Sequence, residues 1–340
     1  QSQAHIPQSI HSRLVHHEVQ LYADDADIRV LHFKGTIAAL HFPDRHTNTS
    51  DADILCEPDR FEKLIARLER SGWSTAPHQP EPAAVALIHP QRGVSVDLYR
   101  YFPGLEGQWS QIFADLYRRR EIVENCWPYL TIPNQLDHGA LLLADIMSGD
   151  TIHQHHSRNR ASIYTQIPAE RRTEFYERMA QIGVIHTIFP TGGRTINAPQ
   201  RRRVAAVTSK SRFVRLVGTR LFKAADATDM RQRLHLVFGG QPSPTTIAPA
   251  PSRAGKRIAD EVVWMRDKDE TVSLLDLRTG TPARLFGSAS HIWELLVSGC
   301  SDSEIVEIFK AEISELPANA PAQIHETIGT LTQLDLIDTD

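Results

Sequence analysis

The chain has 340 residues, enough for two domains with sizeable cores, and 41% hydrophobic with 23% charged residues is an ordinary globular balance. A net charge of −4 excludes polyanion binding by bulk charge. Cys56, Cys126 and Cys300 are odd in number and show no C-x-x-C spacing, which argues against a disulfide framework or a zinc site and for a reducing cytoplasm. No run reaches the apolar length of a membrane span, and Gln1–His5 lacks the charged and apolar regions of a signal peptide.

In chain order, Ile10, Leu14 and Val15 predict a helix before the first strand. That strand runs from Arg29 to Phe33 into Lys34-Gly35. Thr36–Phe42 is expected as a helix opening at the glycine turn, its free N–H groups turned to an incoming phosphate. Lys34 has two readings, a partner for a triphosphate oxygen or a solvated strand end. Ser50 then leads into Asp51 and Asp53, which open a second apolar run. Alternation along a strand puts both carboxylates on one face, about 7 Å apart. They repel there unless a cation sits between them, and Mg²⁺ or Mn²⁺ suits such oxygen ligands.

Asp59–Arg70 is expected as a helix with Phe61, Leu64, Ile65 and Leu68 as its apolar stripe, stopped at Ser71-Gly72. After a proline-rich loop, Ala83–His89 and Gly93–Tyr99 read as a hairpin that sets Asp97 among apolar neighbours. If its second strand lies beside the Asp51/Asp53 strand, three carboxylates meet in a two-metal phosphoryl-transfer geometry. The order of elements predicts a small mixed sheet with helices on one face.

The text His32-Phe33-Lys34-Gly35, then His41-Phe42-Pro43-Asp44-Arg45, then Ser50-Asp51-Ala52-Asp53-Ile54-Leu55 resembles the "uncharacterised nucleotidyltransferase" branch of the polymerase-β-like family. The resemblance spans residues 25–235, with its specific part in 30–100. It implies an NTP co-substrate held by Lys34, Gly35, Thr36 and Ser50, with Asp51, Asp53 and Asp97 as the metal-binding and catalytic acids.

From Trp109 to His235 the pattern is read as helical, including Pro133–Met147 with Leu136, Ala140, Leu143, Ala144 and Met147 as a stripe. Asp137, His138, Asp145, Asp150, His153, His155 and His156 crowd here. Arg158 and Arg160 oppose a cation nearby, so a solvated polar helix end is preferred to a metal site. Residues 201–223 carry eight basic and no acidic side chains. That is a positive surface for phosphates, an acidic peptide or nucleic acid, or an amphipathic helix with snorkelling basic residues. Residues 239–256, rich in Pro, Ser and Thr, read as a linker between a catalytic domain at 1–238 and a second domain at 257–340.

In the second domain, Glu261–Met265, Thr271–Leu277 and Ala283–Phe286 are expected as strands. Three helices follow: one capped by Ser288, one opened by the Ser301/Glu304 capping box, and one from Ala320. The whole chain is therefore α+β, with a small winged-helix-like C-terminal domain. Ala289–Leu296, Gly299–Ile305 and Leu331–Ile337 make this domain similar to the PqqD-like family of leader-recognition elements. The resemblance implies that a ribosomally made precursor peptide adds its leader as a strand at the sheet edge, against Arg284, Phe286, Ile324, Ile328 and Leu331. The four apolar residues among these can instead be core, the reading preferred for Ile324 and Leu331. Glu326, Asp335 and Asp338 argue against DNA contact. Two further readings stay open: a peptide-binding adaptor on a degenerate scaffold, and a nucleotidyltransferase acting on a small molecule.

Overall fold

The computed structural model of the chain describes residues 7–44, 50–77, 83–102, 109–148, 162–182, 258–267, 269–313 and 316–337. Arg45, the His153–His156 cluster, the basic stretch 201–223 and the 239–256 linker lie outside them. The first half is laid on five strands, β1 (Val30–His32), β2 (Asp51–Cys56), β3 (Ser74–Thr75), β4 (Ala84–Ile88) and β5 (Ser95–Tyr99). They form one mixed sheet in the order β1-β2-β5-β4-β3. β2 and β5 run parallel, and the other pairs are antiparallel. A parallel pair needs a crossover. The expected helix supplies it as α3 (Phe61–Glu69), followed by the β3–β4 and β4–β5 hairpins.

Alternation sorts the sheet into two apolar faces. Val30, Ala52, Ile54, Val96 and Leu98 pack with Val15, Val19 and Tyr22 of α1 (Gln8–Asp25) and with Phe61, Leu64 and Leu68 of α3. Leu31, Leu55 and Tyr99 pack on the other side, with α4 (Trp109–Arg118), α5 (Gln135–Ser148) and α6 (Arg172–Gln181). The expectation of helices on one face is corrected, because both sides of β2 and β5 carry apolar side chains that need cover. The short helix α2 (Gly35–His41) follows β1 as expected.

The region read as continuously helical from Trp109 also changes. Between α4 and α5 lie three short strands, β6 (Glu121–Val123), β7 (Cys126–Trp127) and β8 (Leu130–Ile132). Pro128 and Pro133 interrupt a helix there, and Ile122, Val123, Thr131 and Ile132 favour extended backbone.

The C-terminal part has the expected β9 (Val262–Arg266), β10 (Val272–Asp276) and β11 (Thr281–Leu285), then α7 (Ser288–Val297), α8 (Asp302–Glu312) and α9 (Ala320–Gln333). The capping box is present: the Ser301 hydroxyl accepts from the Glu304 N–H, and the Glu304 carboxylate accepts from Ser301. Gly287, at φ 55, rather than Ser288 precedes the first turn of α7.

β7 pairs with β9, so the C-terminal sheet reads β11-β10-β9-β7 and takes one strand from the first half. α1 is wedged between the two sheets, with Ile10, Leu14 and Leu21 packed among Val263, Met265 and Leu275. Each such burial is worth about 1.5–3 kcal/mol, so removing residues 257–340 would strip α1 of cover. Among the described residues no helix is long and apolar enough to cross a membrane.

Candidate functional site

The parallel register brings the predicted acids together. Asp53 lies opposite Asp97 and Asp51 opposite Ser95, on strands about 4.8 Å apart. By alternation all three carboxylates project on the face that carries Leu55 and Tyr99, toward α5. Asp53 is buried, and Asp51 and Asp97 are half-buried. Backbone bonds fix β2 from three sides. The Ser12 hydroxyl of α1 donates to the Asp51 carbonyl at 3.1 Å, Phe33 N–H to Asp53 at 3.3 Å, and Ser95 N–H to Ser50 at 3.4 Å.

Lys34 leaves the end of β1 extended, and Gly35 turns the chain into α2 at φ 54, a left-handed conformation suited to glycine. The lysine is not a solvated strand end. Its side chain is only 15% exposed, and its ammonium reaches Asp53 Oδ1 at 3.1 Å, Asp145 Oδ1 at 3.0 Å and the Tyr99 hydroxyl at 2.8 Å. Tyr99 in turn donates to Asp53 Oδ1 at 3.2 Å. Burial works against the ammonium's charge, but Asp145, Asp53 and Tyr99 outweigh it and hold the group well above the usual lysine range. Thr36 is 8% exposed, and its hydroxyl has no hydrogen-bond partner among the described residues.

One ammonium thus faces four carboxylates. Burial, and then Asp51, Asp145 and Asp97 against the pull of Lys34, push the Asp53 carboxyl up to about 7. Among the described residues no three acidic or histidine side chains are already drawn together at metal-holding distance, since Lys34 takes the cation's place beside Asp53. The donor set still fits Mg²⁺ or Mn²⁺: hard carboxylate oxygens on two adjacent strands with negative charge in excess.

Tyr99 and Asp145 were not among the predicted site residues. Tyr99 could have been found, because it follows Ser95 and Asp97 on the same alternation. Asp145 could not, because nothing local ties the end of α5 to β1. The solvated reading of the α5 acids and histidine needs correction at its start. Asp137 is buried between Arg119 and Arg178, with Asn134 donating to it at 2.8 Å. His138 is buried against the Phe33 carbonyl and His41. These are ties that hold α5 to β1 and α6.

The predicted peptide-contact residues divide. Ile324, Ile328 and Leu331 are core residues, each under 5% exposed. Arg284 is half-buried, bonded to Thr271 at 2.7 Å and Asp269 at 3.3 Å. Phe286 is 56% exposed at the end of β11, the outer strand of its sheet.

A scan against protein-family models and a search of curated proteins find no match. Among solved structures the chain is similar to the antibiotic-resistance factor ANT(2'')-Ia, at 12% identity over 52% of this chain and 96% of that one, with a TM-score of 0.35. It is also similar to an antigenic nucleotidyltransferase-like protein from Paracoccidioides brasiliensis, at 11% identity over 67% of this chain and 92% of that one, with a TM-score of 0.35. Likeness at that level leaves the site's own geometry to carry the functional reading.

Proposed function

We propose that this protein transfers a nucleotidyl group from an NTP to a precursor peptide. The observation that carries the proposal is the parallel register of Asp53 with Asp97, with Asp51 on the same face and Lys34 at the adjoining glycine turn. Asp51, Asp53 and Asp97 would hold Mg²⁺ or Mn²⁺. A bound divalent ion neutralises triphosphate charge and makes an acceptor hydroxyl easier to deprotonate. Lys34 supplies a fixed positive charge for a phosphate oxygen, and the buried Thr36 hydroxyl and Ser50 offer hydrogen bonds beside it. Asp97, half-open to solvent, either completes the metal site or takes the acceptor's proton. The acceptor oxygen bonds to the α-phosphorus and pyrophosphate leaves.

The peptide part of the proposal rests on β11. Its outer edge is unpaired among the described residues and ends at exposed Phe286, next to Arg284. A leader added there as a strand would raise the local concentration of the attached core peptide, so the catalytic face needs little sequence preference of its own. Cys56, Cys126 and Cys300 stand as thiols rather than disulfides, which suits a reducing cytoplasm.

The test uses the full chain with precursor peptide, labelled NTP and Mg²⁺, read by peptide mass. Gain of a nucleoside monophosphate, lost in the Asp51→Asn/Asp53→Asn variant, supports the proposal. Unchanged mass with every NTP counts against it. A second reading, a non-catalytic adaptor, draws on the lysine that already neutralises Asp53; it expects modification by a partner enzyme to survive the double substitution. Transfer to a small molecule in place of the peptide would leave turnover intact in a β11-edge variant such as Arg284→Pro.

A further inference from the structure

We propose, resting on the nucleotidyl-transfer reading above, that Asp145 is a positioning residue of this site. It shares the Lys34 ammonium with Asp53, and so sets how strongly that lysine competes with a divalent cation for the strand carboxylates.

The geometry is a closed set. An ammonium has three N–H donors, and three acceptors stand at 2.8, 3.0 and 3.1 Å from Lys34 Nζ: Tyr99 Oη, Asp145 Oδ1 and Asp53 Oδ1. Tyr99 bridges back to Asp53 at 3.2 Å, so two contacts draw the lysine toward the sheet and one draws it toward α5. Asp145 lies near the C-terminal end of α5, where the helix's own carbonyl ends disfavour a carboxylate. A cation shared across the gap offsets that cost, and it links the acidic strand to the far end of α5.

The position of Asp145 also differs from that of the other three acids. Asp51, Asp53 and Asp97 project from adjacent strands in register, whereas Asp145 approaches from the opposite wall with Lys34 between it and Asp53. Besides its direct repulsion of the Asp53 carboxylate, it therefore acts on a bound cation chiefly through the lysine. With Asp145 present, Lys34 divides its charge between two carboxylates, and a divalent ion displaces only part of an ion pair from Asp53. Once displaced, the ammonium keeps Asp145 as its anchor and stays within reach of the triphosphate. With Asp145 removed, Lys34 turns wholly to Asp53 and competes at full strength.

The experiment is a double-substitution cycle on the full-length protein, read by Mn²⁺ binding in electron paramagnetic resonance titrations without nucleotide. Asp145→Asn is expected to raise the Mn²⁺ dissociation constant about tenfold, or about 1.4 kcal/mol. In the Lys34→Met background the same substitution is expected to change it less than about twofold, because its effect runs through the lysine. Asp145→Glu, which keeps the charge, is expected to recover most of the affinity. In turnover, Asp145→Asn raises the KM for the metal–NTP complex and leaves kcat at saturating metal nearly unchanged. Near-ultraviolet circular dichroism of each variant confirms that it is folded. Equal loss in both backgrounds would make Asp145 a metal ligand in its own right and overturn the proposal. Unchanged Mn²⁺ affinity in the single variant would also overturn it. Wild-type protein that binds no Mn²⁺ at Asp51 and Asp53 would overturn the nucleotidyl-transfer reading together with this role.

Discussion

Two polar clusters, one buried and one half-open, lie back to back on the β1–β2–β5 sheet, and they balance charge in opposite ways. Behind the sheet, on α1, Glu18 accepts from Arg92 at 2.7 and 3.1 Å and from the Trp73 indole at 3.3 Å. Beside this pair the histidines are neutral. His32 Nε2 donates to Gln20 at 3.0 Å, so its Nδ1 accepts from His16 Nδ1 at 2.9 Å, while His17 donates to the Pro128 carbonyl at 2.9 Å. In front of the sheet, one lysine faces four carboxylates. A matched pair buried for its own sake locks α1 between the two sheets. Four carboxylates around one lysine repel one another, and burial with that repulsion raises the Asp53 carboxyl.

The largest expected effect breaks the first cluster and spares the second. Glu18→Ala leaves the Arg92 guanidinium buried and unpaired, a loss of about 3–5 kcal/mol. Chemical denaturation should show it, with activity per folded molecule unchanged. Asp51→Asn should do the reverse. Stability should move by no more than about 1 kcal/mol, because the group is half-open and already repelled by its neighbours. On the nucleotidyl-transfer proposal, turnover should fall more than about 100-fold, beyond the cost of losing a group that only orients a metal ligand. If both substitutions unfold the protein, the two clusters serve the same end and the contrast fails.

The contrast also explains what could be read from the sequence. Asp51, Asp53 and Asp97 were legible because alternation is local and each acid sits in a short apolar run. The C-terminal strands and the Ser301 cap were legible for the same reason. The burial of α1 was not. Ile10, Leu14 and Val15 announce the helix, but nothing local marks His16, His17, Glu18 and Gln20 as buried, and the partners that bury them, His32, Arg92, Pro128 and Thr131, come from β1, from the loop before β5 and from the β7–β8 region. β7 was hidden for a related reason: two residues have no period, and their pairing with β9 spans more than a third of the chain.

Acid should separate the clusters next. Burial, then the neighbouring histidine and Arg13, hold His16 down at about 3, and burial with Arg13 holds His17 at about 3, each against 6.5 when exposed. His32 is also held well below 6.5, by burial and by the same histidines. Between pH 6.5 and 3 the unfolded chain therefore binds more protons than the folded one. This contribution to stability is whole above pH 6.5 and is lost as the pH falls, by up to about 1.4 kcal/mol per pH unit for each histidine. Urea midpoints at pH 7, 5.5 and 4.5 should fall in step, and His16→Gln should flatten the slope. A slope unaltered by that substitution would show that these rings are protonated in the folded state.

Gly280 probes how tightly the first cluster is closed. It sits at φ 70 in the β10–β11 turn, and an added Cβ would lie 2.6 Å from Arg92 Nη1 and 2.8 Å from Gln91 Oε1. The Arg92 guanidinium also donates to the Leu277 carbonyl at 3.4 Å, so this contact joins the two halves of the chain. Gly280→Ala should cost about 1–2 kcal/mol, from the left-handed backbone and the displaced guanidinium together. Combined with Glu18→Ala the two losses should be less than additive, since both act on Arg92. Full additivity would confine the effect of Gly280 to its own turn.

The smallest expected effect tests the open cluster. Thr36 holds a buried hydroxyl with no partner among the described residues, directly after the glycine turn that presents Lys34. Leaving such a group unsatisfied costs roughly 1 kcal/mol or more. Thr36→Val keeps the shape and removes the unmet bond, so the nucleotide-free protein should gain up to about 1 kcal/mol in denaturation. On the nucleotidyl-transfer proposal, which sets this hydroxyl against a substrate phosphate, the same variant should raise the KM for NTP several-fold while kcat holds. A gain in stability with no change in KM would leave Thr36 as packing and shift the nucleotide contacts of this turn to Lys34 and the Gly35 backbone.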